Sequence, residues 1–154
     1  MPTFHDCQRC TACCRWPGQV RLTAAEISRL AAFRQLSEHD FIQQFTRLTA
    51  DRRGLALQDQ PGGECIFLVG NECAVQAVKP QQCRDFPNLW RYPGAQQYCR
   101  AIPREVGAAE YIQLVAAATG RAPQEIQVWL TRQPSNTAPP PEQPPARGLP
   151  NPGV

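Results

Sequence analysis

Apolar residues recur at helical spacing directly after a helix-capping signal in the first third of the chain. Thr23 is an N-cap candidate, and Glu26 follows three residues later, which is the spacing of a capping box. Ile27 and Leu30 then fall on one helical face together with alanine and phenylalanine neighbours. The pattern predicts a helix over about residues 24–34.

The same pattern predicts three further helices. Ser37 caps a second apolar series, which predicts a helix over about 38–48. The two helices would form a short helical hairpin that can lay an apolar face over the cysteines near the start of the chain. Later in the chain, apolar spacing predicts a helix over about 105–119, with Gly120 at the position after its end, where glycine is favoured. A last helix is predicted from Pro123 to about residue 132.

Short β-prone runs occupy the middle of the chain. The run Cys65–Val69 is followed by Gly70-Asn71, a two-residue hairpin signal, and then by the segment around Cys73. We expect a β-hairpin with Cys65 near its start and Cys73 just past its turn. Residues 20–22 and 55–57 are further extended candidates.

The remaining segments carry turn and loop signals. Residues 1–20 and 87–103 are predicted to be irregular, and residues 81–86 a short helix that proline stops. The proline-rich segment 133–154 is predicted to be disordered. The expected fold is mainly α with a small β-hairpin: a compact, metal-stabilised cysteine-cluster domain with irregular loops over 1–103, and a helical pair over 104–132 packing on it.

Composition narrows the class of protein. Eight cysteines in 154 residues fall short of the density of a small disulfide scaffold. The chain starts without the basic and apolar regions of a signal peptide, and no apolar run is long enough to span a membrane. We therefore expect a cytoplasmic protein with reduced thiols and no membrane partner. The 16 basic and 13 acidic residues are scattered, so a nucleic-acid partner is not expected, while an unidentified protein partner is compatible with the chain.

Four thiols lie within eight residues in the pattern CxxCxxCC, at Cys7, Cys10, Cys13 and Cys14. Two residues between cysteines form a tight turn that directs both thiolates to one side and points backbone N–H groups at the sulfurs. Four such ligands bind zinc, and the CxxCxxC spacing also supplies three ligands of a [4Fe–4S] cluster. Cys13 and Cys14 are adjacent, so they are expected either to serve two neighbouring sites or to include one residue that is not a ligand.

More remote cysteines are expected to complete the metal site. The predicted metal ligands are the eight cysteines Cys7, Cys10, Cys13, Cys14, Cys65, Cys73, Cys83 and Cys99. The alternatives are a disulfide framework, a redox CxxC pair, and buried inert thiols at Cys65 and Cys99. His5 and His39 are expected to be surface residues, and the carboxylates Asp6, Glu72 and Asp85 to be solvated or salt-bridged.

The chain resembles the YkgJ-type cysteine-cluster family, whose members are described as zinc- or iron-chelating proteins. The resemblance lies in CQRCTACC, VRLTAAEISRL, ECIFLVGNECAV and KPQQCRDFP, and covers roughly residues 5–90. It implies metal chelation by Cys7, Cys10, Cys13 or Cys14, Cys65, Cys73 and Cys83, with Cys99 outside the best-matching part. The family usually has arginine where this chain has Lys79, which keeps the charge but loses the planar guanidinium.

The expected function is zinc, iron or iron–sulfur binding in an accessory or structural role. One alternative is an iron–sulfur enzyme or electron-transfer component, since a similar cysteine cluster occurs in the much longer flagellin lysine-N-methylases. A second alternative is a zinc-stabilised interaction module. The sequence has no phosphate-binding loop, Ser/His/Asp set or HExxH motif, so catalysis is not predicted.

Overall fold

The structure, a computed structural model, describes residues 1–16 and 18–132. These residues form two units by their contacts. The middle unit is Thr11–Cys83, and the terminal unit is Met1–Cys10 together with residues 84–132. The predicted tail over 133–154 lies outside the described residues.

Capping side chains begin the two main helices of the middle unit, as predicted. In α2, Ala24–Phe33, the backbone N–H of Glu26 donates to the Thr23 hydroxyl oxygen at 3.2 Å, and that hydroxyl donates to the Glu26 carboxylate at 3.2 Å. The first bond is the N-cap half of the predicted capping box, and the second joins the two side chains. In α3, Glu38–Phe45, Ser37 accepts the N–H of Asp40 at 3.0 Å.

The prediction that this second helix continues to residue 48 was wrong. The Thr46 hydroxyl donates to the Ile42 carbonyl at 2.8 Å, and strand β3, Thr46–Leu48, begins there. β3 pairs with β4, Leu55–Leu57, and sheet pairing therefore takes the backbone groups that a longer helix would have used.

The middle unit has two small antiparallel sheets. Strand β2, Arg21–Leu22, completes the first sheet, whose strand order is β2-β4-β3. The second is the predicted hairpin of β5, Leu68–Val69, and β6, Glu72–Cys73, in which Leu68 faces Cys73. Gly70 has φ +61° at the turn, a conformation that glycine adopts readily.

The apolar faces of these elements meet in one core. Phe67 is 2% exposed, and its ring lies 6.2 Å from that of Phe41 and 5.0 Å from that of Phe45. The guanidinium of Arg34 lies over two of these rings, 5.3 Å from the centroid of Phe45 and 5.7 Å from that of Phe67. The buried members are Ile27, Leu30, Ala31, Phe41, Leu57, Phe67 and Val75.

The terminal unit contains a strand pair that the sequence did not reveal. Strand β1, Thr3–Asp6, pairs antiparallel with β7, Ile102–Glu105, and the register ends at Asp6 opposite Ile102. The prediction that residues 1–20 are irregular was therefore wrong at β1, and also at α1, Ala12–Arg15, in the middle unit. The predicted helix over 105–119 begins later, because residues 102–105 form a strand.

Helices complete the terminal unit. They are α5, Ala95–Tyr98; α6, Ala108–Thr119; and α7, Pro123–Arg132. Gly120 ends α6 with φ +73°, as predicted. The core between α6, α7 and β1 contains Phe4, Val106, Tyr111, Val115 and Ile126.

The described residues thus combine helices with small sheets, so the predicted mainly α fold with a small hairpin holds in outline and has more strand than expected. Across residues 1–16 and 18–132, no helix has the length and apolar character needed to cross a bilayer.

Candidate metal centre

The cysteines of the CxxCxxCC motif belong to two different units. The boundary falls between Cys10 and Thr11, where the backbone has positive φ at two non-glycine residues, Arg9 at +53° and Thr11 at +68°. Residues with positive φ change the direction of the backbone within a few positions. The terminal unit contains Cys7, Cys10 and Cys99, and the middle unit contains Cys13, Cys14, Cys65, Cys73 and Cys83.

Short elements position the five thiols of the middle unit. Cys13 and Cys14 lie on the single turn of α1, and Cys83 lies on the short helix α4, Gln81–Asp85. The backbone N–H of Cys65 donates to the Cys14 carbonyl at 2.7 Å, so the motif is tied directly to the segment before the hairpin. Cys73 lies in β6.

Backbone donors face several of the sulfurs. The N–H of Phe67 is hydrogen-bonded to the Cys65 sulfur, and the N–H of Val75 to the Cys73 sulfur. Each donor lies two residues after its cysteine, as in the tight turns expected around thiolate ligands. Since a hydrogen bond to sulfur stabilises its charged form, each bond lowers the pKa of its thiol.

The thiols of Cys13 and Cys14 are hydrogen-bonded to each other and have different roles. The Cys14 thiol donates a hydrogen bond to the Cys13 sulfur, which lowers the pKa of Cys13 to about 7 despite burial and raises the pKa of Cys14. Lys79 and the backbone N–H groups of the pair lower the pKa of Cys13 further. Cys13 is thus prepared to carry negative charge near neutral pH.

The three remaining thiols of the middle unit, those of Cys65, Cys73 and Cys83, are held mainly in their neutral form. Burial raises the pKa of Cys65 to about 11, and burial is also the main cause of the raised pKa values of Cys73 and Cys83. Negative charge on Cys13 raises all three further, while the Lys79 ammonium lowers those of Cys73 and Cys83.

Ionising one of these five thiols makes it harder to ionise its neighbours, and the Lys79 ammonium offsets this effect only in part. A bound cation would lower the pKa of every thiol in such a group, because it stabilises each of the thiolates at once. The donor chemistry therefore fits a thiophilic metal such as zinc or iron. Within the part of the chain that the structure describes, no three or more histidine, cysteine, aspartate and glutamate side chains are grouped so that they could already hold an ion.

The thiols of the terminal unit form a smaller group. The Cys99 thiol is hydrogen-bonded to the Cys10 sulfur, which also accepts the backbone N–H of Arg100 at 3.4 Å. Burial is the main cause of the raised pKa of Cys99. Cys7 is exposed, and its sulfur accepts the N–H of Arg9 at 3.5 Å.

One histidine and the carboxylate of Asp85 lie as expected. His39 is exposed on α3, whereas His5, expected at the surface, is half-buried on β1, where burial lowers its pKa. Asp85 binds Arg121 through two hydrogen bonds of 2.9 and 2.7 Å, so its carboxylate is salt-bridged.

Two glutamines that the sequence did not single out hold the cysteine segments in place. The Gln60 amide donates to the carbonyls of Cys65 at 2.9 Å and Leu68 at 2.8 Å. Gln82, the neighbour of Cys83, accepts the N–H of Arg21 at 3.0 Å and donates to the Gln19 carbonyl at 2.8 Å. No local sequence signal marks either residue, because their partners are backbone groups that only folding brings close.

Comparison with known proteins supports the same chemistry. A search of solved structures found no significant match. A family model described as "CxxCxxCC: Putative zinc- or iron-chelating domain" matches residues 6–103, a range that includes all eight cysteines. Because that match covers more than half of the 154 residues, the chain belongs to the CxxCxxCC family of zinc- or iron-chelating domains.

Proposed function

We propose that this protein is a metal chelator whose middle unit binds one zinc or iron ion through Cys13, Cys65, Cys73 and Cys83, in a structural or accessory role. The observation that carries the proposal is the electrostatic coupling of these four thiols. Charge on Cys13 acts on each of the other three, and Lys79 offsets it at Cys73 and Cys83.

In this proposal Cys14 supports a ligand instead of being one. Its thiol donates to the Cys13 sulfur, and its carbonyl accepts the N–H of Cys65. Hydrogen bonds of this kind orient ligands and tune their basicity at metal sites. Cys13 and Cys14, which are adjacent in the sequence, then do not both have to reach the same ion.

The bound metal would add a second link between segments that the core also joins. The four thiols come from α1, the segment before the hairpin, β6 and α4. Binding would draw these sulfurs to about 2.3 Å from a zinc ion, closing the segments on one another. Structural zinc sites supply about 10–16 kcal/mol of apparent binding free energy, so the metal would contribute to folding directly.

The test is metal analysis and optical spectroscopy of the full chain purified without air. One zinc or iron per chain is expected. A broad band near 400 nm together with more than one iron per chain would instead identify an iron–sulfur cluster and would overturn the single-ion site. If four thiolates share the binding free energy, each contributes roughly 3 kcal/mol, so serine at any of the four should weaken binding about 100-fold or more.

Cys7→Ser is the matched control, because it removes a thiol of the same motif that lies in the other unit. It should leave the affinity of the middle unit unchanged. Metal-free protein after anaerobic purification and metal supplementation would refute the chelating function. Equal losses in Cys7→Ser and Cys13→Ser would refute this choice of ligands.

A further inference from the structure

We propose that Cys10 and Cys99 are a reversible dithiol–disulfide pair, separate from the metal-binding thiols and oxidised by hydrogen peroxide or a similar peroxide. This proposal goes beyond the chelating function and does not depend on it, because both cysteines lie in the terminal unit.

The strand pair of the terminal unit holds these two positions together. The register of β1 and β7 ends at Asp6 opposite Ile102, so the chain leaving one strand runs beside the chain entering the other. Cys99 is fixed in turn by its backbone N–H, which donates to the Ala95 carbonyl at 2.7 Å at the end of α5. The hydrogen-bonded backbone therefore positions Cys99, and the end of β1 positions the segment that contains Cys10.

The sulfur contacts give the two cysteines distinct roles. The Cys99 thiol is hydrogen-bonded to Cys10, and the N–H of Arg100 donates to the Cys10 sulfur at 3.4 Å. Both contacts bring the Cys99–Arg100 segment to the Cys10 sulfur, so the Cys99 sulfur is held where it can attack Cys10 once that residue is oxidised. We therefore assign Cys10 as the residue that peroxide oxidises and Cys99 as the resolving thiol already in contact with it.

The chemistry balances with peroxide as the oxidant. The Cys10 thiolate attacks one peroxide oxygen, the O–O bond breaks, and the departing hydroxide takes a proton to become water, leaving a sulfenic acid on Cys10. The Cys99 sulfur then attacks the Cys10 sulfur. The S–O bond breaks, and the hydroxide leaves as water with the Cys99 proton. Two thiols lose two electrons in total, which reduce peroxide to two waters; a dithiol reductant reverses the reaction.

Contact between the two sulfurs, and protection of the other thiols by metal, favour this pair over others. Both sulfurs belong to partly exposed residues, so a small oxidant can reach them. The exposed Cys7 is bonded to the N–H of Arg9, and no described contact joins its sulfur to that of Cys10. In the middle unit, by contrast, bound metal would protect the thiols from oxidation.

The experiment treats the metal-loaded full chain with hydrogen peroxide, blocks free thiols with iodoacetamide, and maps disulfides by tryptic digestion and fragmentation. The expected product joins peptide 10–15, through Cys10, to peptide 92–100, through Cys99, with loss of about two free thiols per chain. Dithiothreitol should restore both thiols. Metal content should stay unchanged throughout.

Cys99→Ser should abolish the linkage and leave a reducible sulfenic acid on Cys10, whereas the matched control Cys7→Ser should form the disulfide as the wild type does. The proposal is overturned if peroxide joins other cysteines in preference, if the linkage forms only after metal is lost, or if Cys99→Ser lowers the metal content. The last result would identify Cys99 as a ligand. Loss of metal from Cys13→Ser with an intact Cys10–Cys99 linkage would support both proposals independently.

Discussion

Truncating Phe67 should destabilise the middle unit severely, because its ring connects the core to the cysteine-bearing hairpin. The side chain is 2% exposed and contacts the rings of Phe41 and Phe45. Replacing a buried phenylalanine by alanine costs about 3–5 kcal/mol in lost burial and cavity formation. Since whole domains are stable by about 5–15 kcal/mol, Phe67→Ala should remove a large fraction of the free energy of unfolding.

Urea denaturation of the metal-free protein, followed by circular dichroism, measures the change. With a slope of about 2 kcal/mol per molar urea, a loss of about 4 kcal/mol shifts the midpoint down by about 2 M. The matched control is Phe33→Ala on α2, where the side chain is 45% exposed. That variant should change the free energy of unfolding by less than about 1 kcal/mol. Equal midpoints for the two variants would refute the packing argument.

Adding zinc to Phe67→Ala distinguishes the contribution of the Phe67 ring from that of its backbone N–H. The hydrogen bond to the Cys65 sulfur comes from the backbone N–H of Phe67, which alanine retains. Zinc at a thousandfold excess over its Kd adds about 4 kcal/mol, so it should restore most of the lost stability in Phe67→Ala. If zinc stabilises the wild type but not this variant, the ring also positions the thiols, and the division between core and site is wrong.

Two further predictions concern charge. Lys79→Gln should weaken zinc binding at pH 7 by about 1 kcal/mol, roughly fivefold in Kd by competition titration, because a four-thiolate zinc site is net negative and loses a nearby cation. Lys79→Arg should bind nearly as the wild type, and equal weakening in both variants would exclude a charge effect. The second prediction is that the thiols make the stability of the metal-free protein rise between pH 7 and about 8.5 and fall from there towards pH 11. The pKa of Cys13 lies below its unfolded value, so its contribution is lost as pH falls through about 7, whereas that of Cys65 is raised, so its contribution is lost as pH rises through about 11. In urea midpoints across this range, Cys13→Ser should lose the rise between pH 7 and about 8.5 but keep the fall at higher pH, because the raised pKa values of Cys65, Cys73 and Cys83 remain.

Local signals in the sequence determined much of the secondary structure. Thr23 and Ser37 begin helices because each cap bonds an N–H group three residues away, and Gly70-Asn71 makes a turn that depends on its own backbone angles. The pattern of cysteines likewise indicated thiolate chemistry and the family, since both depend on residue type and spacing. The predicted eight-cysteine ligand set stays a prediction.

Tertiary structure decided what depends on partners distant in sequence. β1 and β7 are nearly a hundred residues apart in the sequence. Every residue of β7 is exposed, so the segment has no alternation of buried apolar and exposed polar residues that would have predicted the strand. The division of CxxCxxCC between two units was equally hidden. Adjacent thiols share sequence context, but the left-handed backbone at Arg9 and Thr11 and the contacts of Cys65 and Cys99 determine which neighbours each thiol meets.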